Sequence, residues 1–496
     1  MKYNINNLNI FIYYKMLSLY KTSNVYTILK LLIFLYILYR FGFIFSLIAY
    51  VSGYFTLQFI VKVLFKWEAV GLNDLTFIDT DISNDFVSIG GFYLDKIRPQ
   101  GIKEKIIERG VKKISKMKQV PFPLLNNWYF YELPLDIALH KANQNIKLIS
   151  DKKLKNPKEL NAYCLKEMKK LFPKENELLW EIHLIDFEDE DGGAMLLKMD
   201  HLLTDATGLM NIYSLLIDNF EAMNYPAFGN TKTIMDDIKF WVKTPYLVLE
   251  FAYNCIISIF NTTPFRNKIP ITKNEYRDFG ILNTKIYNFK VFYEKTKELK
   301  ITFNDLVLSL LSCALGKYYK DKGFLKVDYL AIGVTVGPQT MPNDKSKIVV
   351  KNDSSCAFTY VRLINDLNTE AEQLGKEIGK YTRDKHKSRA MAFMNNYMNL
   401  FLPRWLSQYF AITAGSGLDF MLSNVPGPKL PIYFDGCKVT HCTVIPPLGY
   451  SKGFITLFTY NGEFNLQMSI DKNLNIIEEE LKFYIESEFN KISLKC

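Results

Sequence analysis

Apolar positions run along this chain in three distinct ways. Between Arg40 and Lys62 lies FGFIFSLIAYVSGYFTLQFIV (residues 41–61), 21 residues without a charge. As a helix rising about 1.5 Å per residue it would be about 31 Å long, the thickness of one bilayer core. Leu31 to Tyr39 is equally apolar. The alternative is therefore a longer hairpin from about Thr27 to Leu64, with Gly42 and Gly53 as bending points. Core helices seldom hold so many consecutive uncharged residues, and the segment starts too late and lacks the small-residue cleavage site of a signal peptide. The second pattern is short and mixed. Leu178–Ile185 and Ala194–Met199 are apolar runs separated by the acidic turn EDEDGG at 188–193, which predicts two paired strands. Leu209, Ile212, Leu215, Leu216 and Phe220 then fall on one helical face. His201 thus sits where a strand ends and a helix is about to begin. A comparable set follows: a helix over 303–319, strands near 329–335 and 357–363, an apolar helical stretch at 391–412, and strands at 454–460 and 463–470. Third, residues 236–285 carry Trp241, an apolar run over 246–259 and Phe265, broken by prolines. They read as a linker holding either a membrane-leaning helix or a plain core helix. The chain divides accordingly into an anchor (1–67), one α/β domain (68–235), the linker (236–285) and a second α/β domain (286–496).

Charge sharpens the first pattern. The net charge of the 496 residues is +10, and residues 1–67 contribute seven Lys/Arg with no acid. The remainder is close to neutral, which argues against nucleic acid as a partner, since phosphate binding needs clustered cations. Most of those cations precede the apolar span, so the positive-inside rule puts the amino terminus in the cytosol. A single span would then place the rest in a lumen, whereas a hairpin would keep it cytosolic. A mean hydropathy of −0.02 excludes a polytopic membrane protein, while the 15% aromatic content, with 37 Phe, suits contact with lipid or an acyl ligand. Seven cysteines without a CxxC pair give neither a zinc framework nor a disulfide module. The five histidines, at 140, 183, 201, 386 and 441, are the short list for base chemistry.

The segment KMDHLLTDATG (198–208) carries the candidate chemistry. An imidazole at a strand end, with a carboxylate four residues on to brace the loop, is suited to removing a hydroxyl proton near neutral pH. His201 and Asp205 are the candidate pair, and Gly208 closes the segment. Other blocks are collinear with it: WYFYELPLDIALHKA (128–142), ELLWEIHLI (177–185), FNDLVLSLLSCALGKYY (303–319), KNDSSCAFTYVRL (351–363) and LSNVPGPKLPIYFDGCKV (422–439). Together they resemble successive blocks of the wax ester synthase/diacylglycerol acyltransferase family over most of residues 125–470. The resemblance implies a membrane-associated, acyl-CoA-dependent O-acyltransferase built from two chloramphenicol-acetyltransferase-like α/β domains with a tunnel between them. It implies no cofactor beyond acyl-CoA as co-substrate, no metal, and a fatty alcohol or diacylglycerol as acceptor. The family hallmark HHxxxDG has Asp200 at its first His and Ala206 at its Gly, while His201, the implied base, and Asp205, the implied organiser, are kept. A second departure is VTVGPQ at 334–339, where an Arg-bearing segment is expected as a partner for Asp205 or for pantetheine.

Several flanking residues have structural readings beside the functional one. Asn304 and Asp305 suit the cap of the 303–319 helix. Asn424, Pro426 and Gly427 shape a turn that can also face the tunnel, with Ser423 beside them in the same motif. His183 reads as a core histidine, His140 as structural, and His386 as solvent-facing in a charged run. Asn261 and Asn352 lie in glycosylation sequons. Asn352 falls in a block resembling a core strand, and acyl-CoA is chiefly cytosolic, so the expected setting is the endoplasmic reticulum membrane with the catalytic region in the cytosol. Two rival readings are an HxxxD acyltransferase with a non-lipid acceptor and a catalytically silent lipid-binding membrane protein.

Overall fold

The computed structural model describes residues 23–71, 74, 86–124, 127–149, 154, 157–173, 175–188, 192–223, 238–244, 246–247, 249, 253, 278–323, 328–336, 345, 348–352, 354–382, 412 and 415–493. It is a mixed α/β fold with two large sheets. The expected helix at 391–412 and most of the 236–285 linker lie outside the described residues.

The apolar amino-terminal stretch forms one long helical element, Ser23–Phe65, interrupted at Gly42, whose φ of 81° and ψ of 172° are not helical. Glycine populates this region without a Cβ penalty, which explains why the break falls there. Gly53, the other expected bending point, is helical. The window Ile48–Phe65 is long and apolar enough to cross a membrane, and 6% of it is buried against the protein. Its last turn does dock: Val61 is buried with Phe122, Leu124 and Tyr129. Those residues belong to a small sheet in which Asn127–Glu132 pairs with both Glu68–Ala69 and Gln119–Leu124.

The first large sheet runs in the order Tyr433–Phe434, Cys437–Ile445, Val87–Leu94, Gly193–Asp200, Trp180–Asp186, Ile146–Ile149. The two strands expected around the acidic turn are present and antiparallel, with Ile185 opposite Ala194. Every residue of Gly193–Asp200 is buried. A strand covered on both faces is apolar almost without alternation, which is the pattern of GAMLLKMD. The Cys437–Ile445 strand lies in the half expected to form the second domain, yet it pairs antiparallel with Val87–Leu94 in this sheet.

The second sheet runs Ser355–Arg362, Tyr329–Val336, Phe420–Val425, Gly453–Tyr460, Glu463–Asp471, Phe279–Asn283, with Tyr287–Asn288 also pairing with Glu463–Asp471. Phe279–Asn283 lies inside the span read from sequence as linker, and it is instead a sheet strand. The Phe303–Asp321 helix packs against the Leu367–Thr382 and Glu478–Ser493 helices. Leu306, Leu308, Leu310, Leu311 and Leu315 of that helix are fully buried, each favouring the fold by about 1.5–3 kcal/mol relative to exposure. Aromatic rings from several elements converge beside it. Phe464 meets Phe292 at 4.9 Å and Phe303 at 5.3 Å, both nearly perpendicular, an arrangement that ring quadrupoles favour. Part of the aromatic surplus is therefore core rather than lipid-facing surface.

Candidate active site

The turn joining the Gly193–Asp200 strand to the Ala206–Leu216 helix carries His201. The His201 main-chain N–H donates to the Phe86 carbonyl at 3.0 Å, and its carbonyl accepts from Asn352 Nδ2 at 2.8 Å. Both backbone groups are thus fixed, leaving the half-buried imidazole to face a cavity. Asp200 is buried, and its Oδ1 accepts the Leu202 N–H at 2.9 Å while its carbonyl accepts the Leu203 N–H at 2.9 Å. A short carboxylate that holds its own turn in this way is a physical reason for an acid at the position where the resemblance expects histidine.

Asp205 is the N-cap of the Ala206–Leu216 helix. Its Oδ1 accepts the Gly208 N–H at 2.9 Å, and its Oδ2 accepts the Ser354 N–H at 2.9 Å. Capping satisfies a helix-terminal donor, and the helix dipole favours a negative charge there. The second bond reaches a segment about 150 residues away in sequence, so one carboxylate ties the turn to the other half of the molecule. These two backbone donors are bracing partners of Asp205 that sequence reasoning had sought in an arginine. Thr335, from the divergent VTVGPQ block, lines the cavity, and positions 337–339 lie outside the described residues.

Val349, Lys351, Asn352 and Ser354 act as a strap across this turn. Asn211 Nδ2 donates to the Val349 carbonyl at 2.7 Å and Thr204 Oγ1 to the Lys351 carbonyl at 3.2 Å. Gly208 permits the close approach: a Cβ there would lie 1.8 Å from Thr204 Oγ1 and 3.0 Å from the Lys351 carbonyl. The bracing by Thr204 and Asn211 was missed at the sequence level, because such long-range contacts leave no local pattern.

The cavity in front of His201 has a volume of about 120 Å³. His201, Asp205, Ser354, Ser423, Asn424 and Thr456 give it polar groups, and Met199, Leu209, Val444, Pro446 and Phe454 give it apolar walls. It therefore lies between the two large sheets. Ser423 and Asn424 are on the Phe420–Val425 strand, and Asn424 Nδ2 donates to Asn304 Oδ1 at 2.6 Å. Asn304 is not the helix cap expected from the sequence. Thr302 is the cap, and Asp305 completes a capping box by accepting the Thr302 N–H at 2.9 Å. After Asn424 the chain turns sharply, with the Gly427 N–H donating to Thr459 Oγ1. A Cβ on Gly427 would fall 1.9 Å from the Thr459 carbonyl, so this turn requires glycine.

The other described histidines lie elsewhere. His183 is buried, with Nδ1 2.7 Å from the Tyr163 hydroxyl and Nε2 3.2 Å from Glu181. Glu167, Glu181 and His183 are close enough together to ligate a metal ion, but Lys198 Nζ, 3.6 Å from Glu181, already brings a cation to that cluster. His140 is exposed on the Leu135–Asn145 helix. Burial pushes the His441 imidazole down to about 4, so it stays neutral at ordinary pH. His386 lies outside the described residues.

One carboxyl close to the site had no signal in the sequence pattern. Asp74 is buried, and its carboxyl hydrogen-bonds the side chain of Asn352. Burial raises its pKa to about 7, against the pull of Lys116 and of the Asn352 bond and with the push of Asp205 and Glu68. An unfolded aspartate titrates at about 3.9. The folded state therefore holds this proton more tightly. Its contribution to stability is full below about pH 4 and is lost as pH rises through about 7.

Residues 361–493 match the family model described as the WS/DGAT C-terminal domain. Over 393 residues, 74% of this chain and 84% of the relative, the chain is 22% identical to the O-acyltransferase WSD of Acinetobacter baylyi. The fold is similar to that of a wax ester synthase/diacylglycerol acyltransferase from Marinobacter aquaeolei, with a TM-score of 0.56 and 16% identity, covering 86% of this chain and 99% of that one. It is also similar to the trichothecene 15-O-acetyltransferase of Fusarium sporotrichioides, with a TM-score of 0.58 and 12% identity over 86% of this chain and 94% of that one. Residues 361–493 thus match a WS/DGAT C-terminal domain, and over most of its length the chain is similar to O-acyltransferases of the wax ester synthase/diacylglycerol acyltransferase kind, on a fold shared with them.

Proposed function

We propose that this protein transfers a long acyl chain from acyl-CoA to the hydroxyl of a fatty alcohol or a diacylglycerol, with His201 as general base. The observation that carries the reading is the placement of His201: its backbone is held at both ends while its ring faces a cavity walled by apolar and hydroxyl-bearing side chains. The imidazole takes the proton of the acceptor hydroxyl as its oxygen attacks the thioester carbonyl. The C–S bond then breaks, the ester forms, and the CoA thiolate takes the proton back from the imidazolium. Ser354, Ser423 and Thr456 bring hydroxyls to the same cavity, where a donor can meet the tetrahedral oxyanion. Asp205 holds the turn and takes no proton. Purified protein supplied with palmitoyl-CoA is expected to release CoA and form ester with hexadecanol or dioleoylglycerol, read by thin-layer chromatography. Ester formed only with a short, water-soluble alcohol would overturn the lipid acceptor, and CoA release with no ester would overturn the transferase reading.

The amino-terminal helix is the membrane anchor in this reading, and the catalytic region faces the cytosol. Its exposed Leu35, Phe45, Phe55, Phe59 and Leu64 suit a lipid setting. Asn352 supports the cytosolic side, because the nitrogen that would carry a glycan donates to the His201 carbonyl. Deleting residues 1–67 is expected to weaken co-flotation with phosphatidylcholine vesicles by about tenfold or more, given the apolar area removed. Equal flotation of the full and truncated chains would refute the anchor.

A further inference from the structure

The segment that leaves the amino-terminal helix runs directly into the site. Glu68 and Ala69 add a short strand beside Tyr129 and Phe130, the Val70 N–H donates to the Trp128 carbonyl, and the Asp74 N–H donates back to the Gly71 carbonyl. The Asp74 carboxyl lies beside Asn352 and the Asp205 turn. Asp74 is 8% exposed and shares a hydrogen bond with the Asn352 side chain, whose Nδ2 donates to the His201 carbonyl. We propose that Asp74 is a positioning residue of the acyl-transfer site, holding Asn352 and through it the His201 backbone, so that the end of the apolar helix is tied to the catalytic turn. The inference rests on the reading of His201 as the base.

Simple core filling does not account for this arrangement. A carboxyl at this depth normally collects several donors, yet among the described residues Asp74 Oδ1 has none, and Asn352 Oδ1 has none either. The charged groups facing Asp74 are Lys116 from the Ser115–Lys118 turn, Glu68 from the small sheet and Asp205 from the catalytic turn. Two of the three are acids, so the site is costly for folding. A burial-perturbed acid one side chain away from the base is a pattern found at functional sites. The competing account is a structural ion pair with Lys116, whose ammonium sits 3.4 Å from the Phe130 ring centroid. Glu68 offers that cation another partner.

The test uses the full-length protein and three variants. Asp74→Ala is expected to lower kcat by about tenfold while KM for palmitoyl-CoA stays within about threefold, because a displaced base costs rate rather than substrate binding. Asp74→Asn, whose amide oxygen accepts the same N–H, is expected to keep at least about half of the wild-type kcat. Lys116→Met removes the competing ion pair and is expected to leave kcat unchanged. Hydrogen–deuterium exchange over residues 200–209 reads the coupling without turnover: it is expected to quicken by about tenfold in Asp74→Ala and to stay at the wild-type rate in Asp74→Asn. This measurement stands even if the reaction assigned to the site is wrong, so failure of the two readings can be told apart. Wild-type kcat or wild-type exchange in Asp74→Ala overturns the proposal, as does an equal loss in Asp74→Asn or a copy of the Asp74→Ala kinetics by Lys116→Met. If Asp74→Ala does not fold, Asn352→Ala breaks the link from the other side, and unchanged exchange over 200–209 in that variant overturns the proposal equally.

Discussion

Replacing His201 by glutamine is expected to lower ester formation by about a thousandfold, the mid-range loss for a missing general base, with folding intact. The turn is held through the main chain of residue 201, by Phe86 and Asn352, so the variant keeps the turn and loses the base. Among the described residues no other histidine lines the cavity to replace it. The KM for acyl-CoA is expected to change little, because the loss falls on an interaction made in the transition state. Single-turnover ester formation by the variant, beside its circular dichroism spectrum, checks this. Turnover near the wild-type rate would remove His201 from the mechanism.

Asp205→Ala has the largest expected effect on stability. Two backbone donors, the buried Gly208 N–H and the half-buried Ser354 N–H, lose their acceptor at once. An unsatisfied buried donor costs about 1–3 kcal/mol, so the variant is expected to lose about 2–5 kcal/mol in a urea titration and most of its activity. Asparagine keeps one acceptor oxygen but presents an amide to the second N–H, so Asp205→Asn should fall between the wild type and alanine. A variant with wild-type midpoint and rate would show that the carboxylate braces nothing.

The local part of this site was legible in the sequence. Apolar runs on either side of KMDHLLTDATG fix a strand, a turn and a helix, and a side chain at the end of a buried strand has little choice of direction. The contacts that complete the site were not legible, because they join residues far apart in the chain. Asn304 and Asn424 stood in separate blocks with nothing to say that they touch. The strap residues Val349, Lys351, Asn352 and Ser354 show no periodicity, and Asp74 is one acid in a polar stretch. Phe279–Asn283 was lost for a related reason: five residues beside a long irregular segment give too short an alternation to separate a strand from a linker.

The strand Cys437–Ile445, which crosses from the second half into the first sheet, sets the order in which the chain can be completed. Until residue 445 has been synthesised, Val87–Leu94 lacks one of its two neighbours and presents a row of unpaired N–H and C=O groups. A nascent chain of the first half alone therefore carries an open, apolar edge of the kind that invites aggregation. Expressing the halves as separate polypeptides would leave the same edge unless the second half supplied its strand in trans.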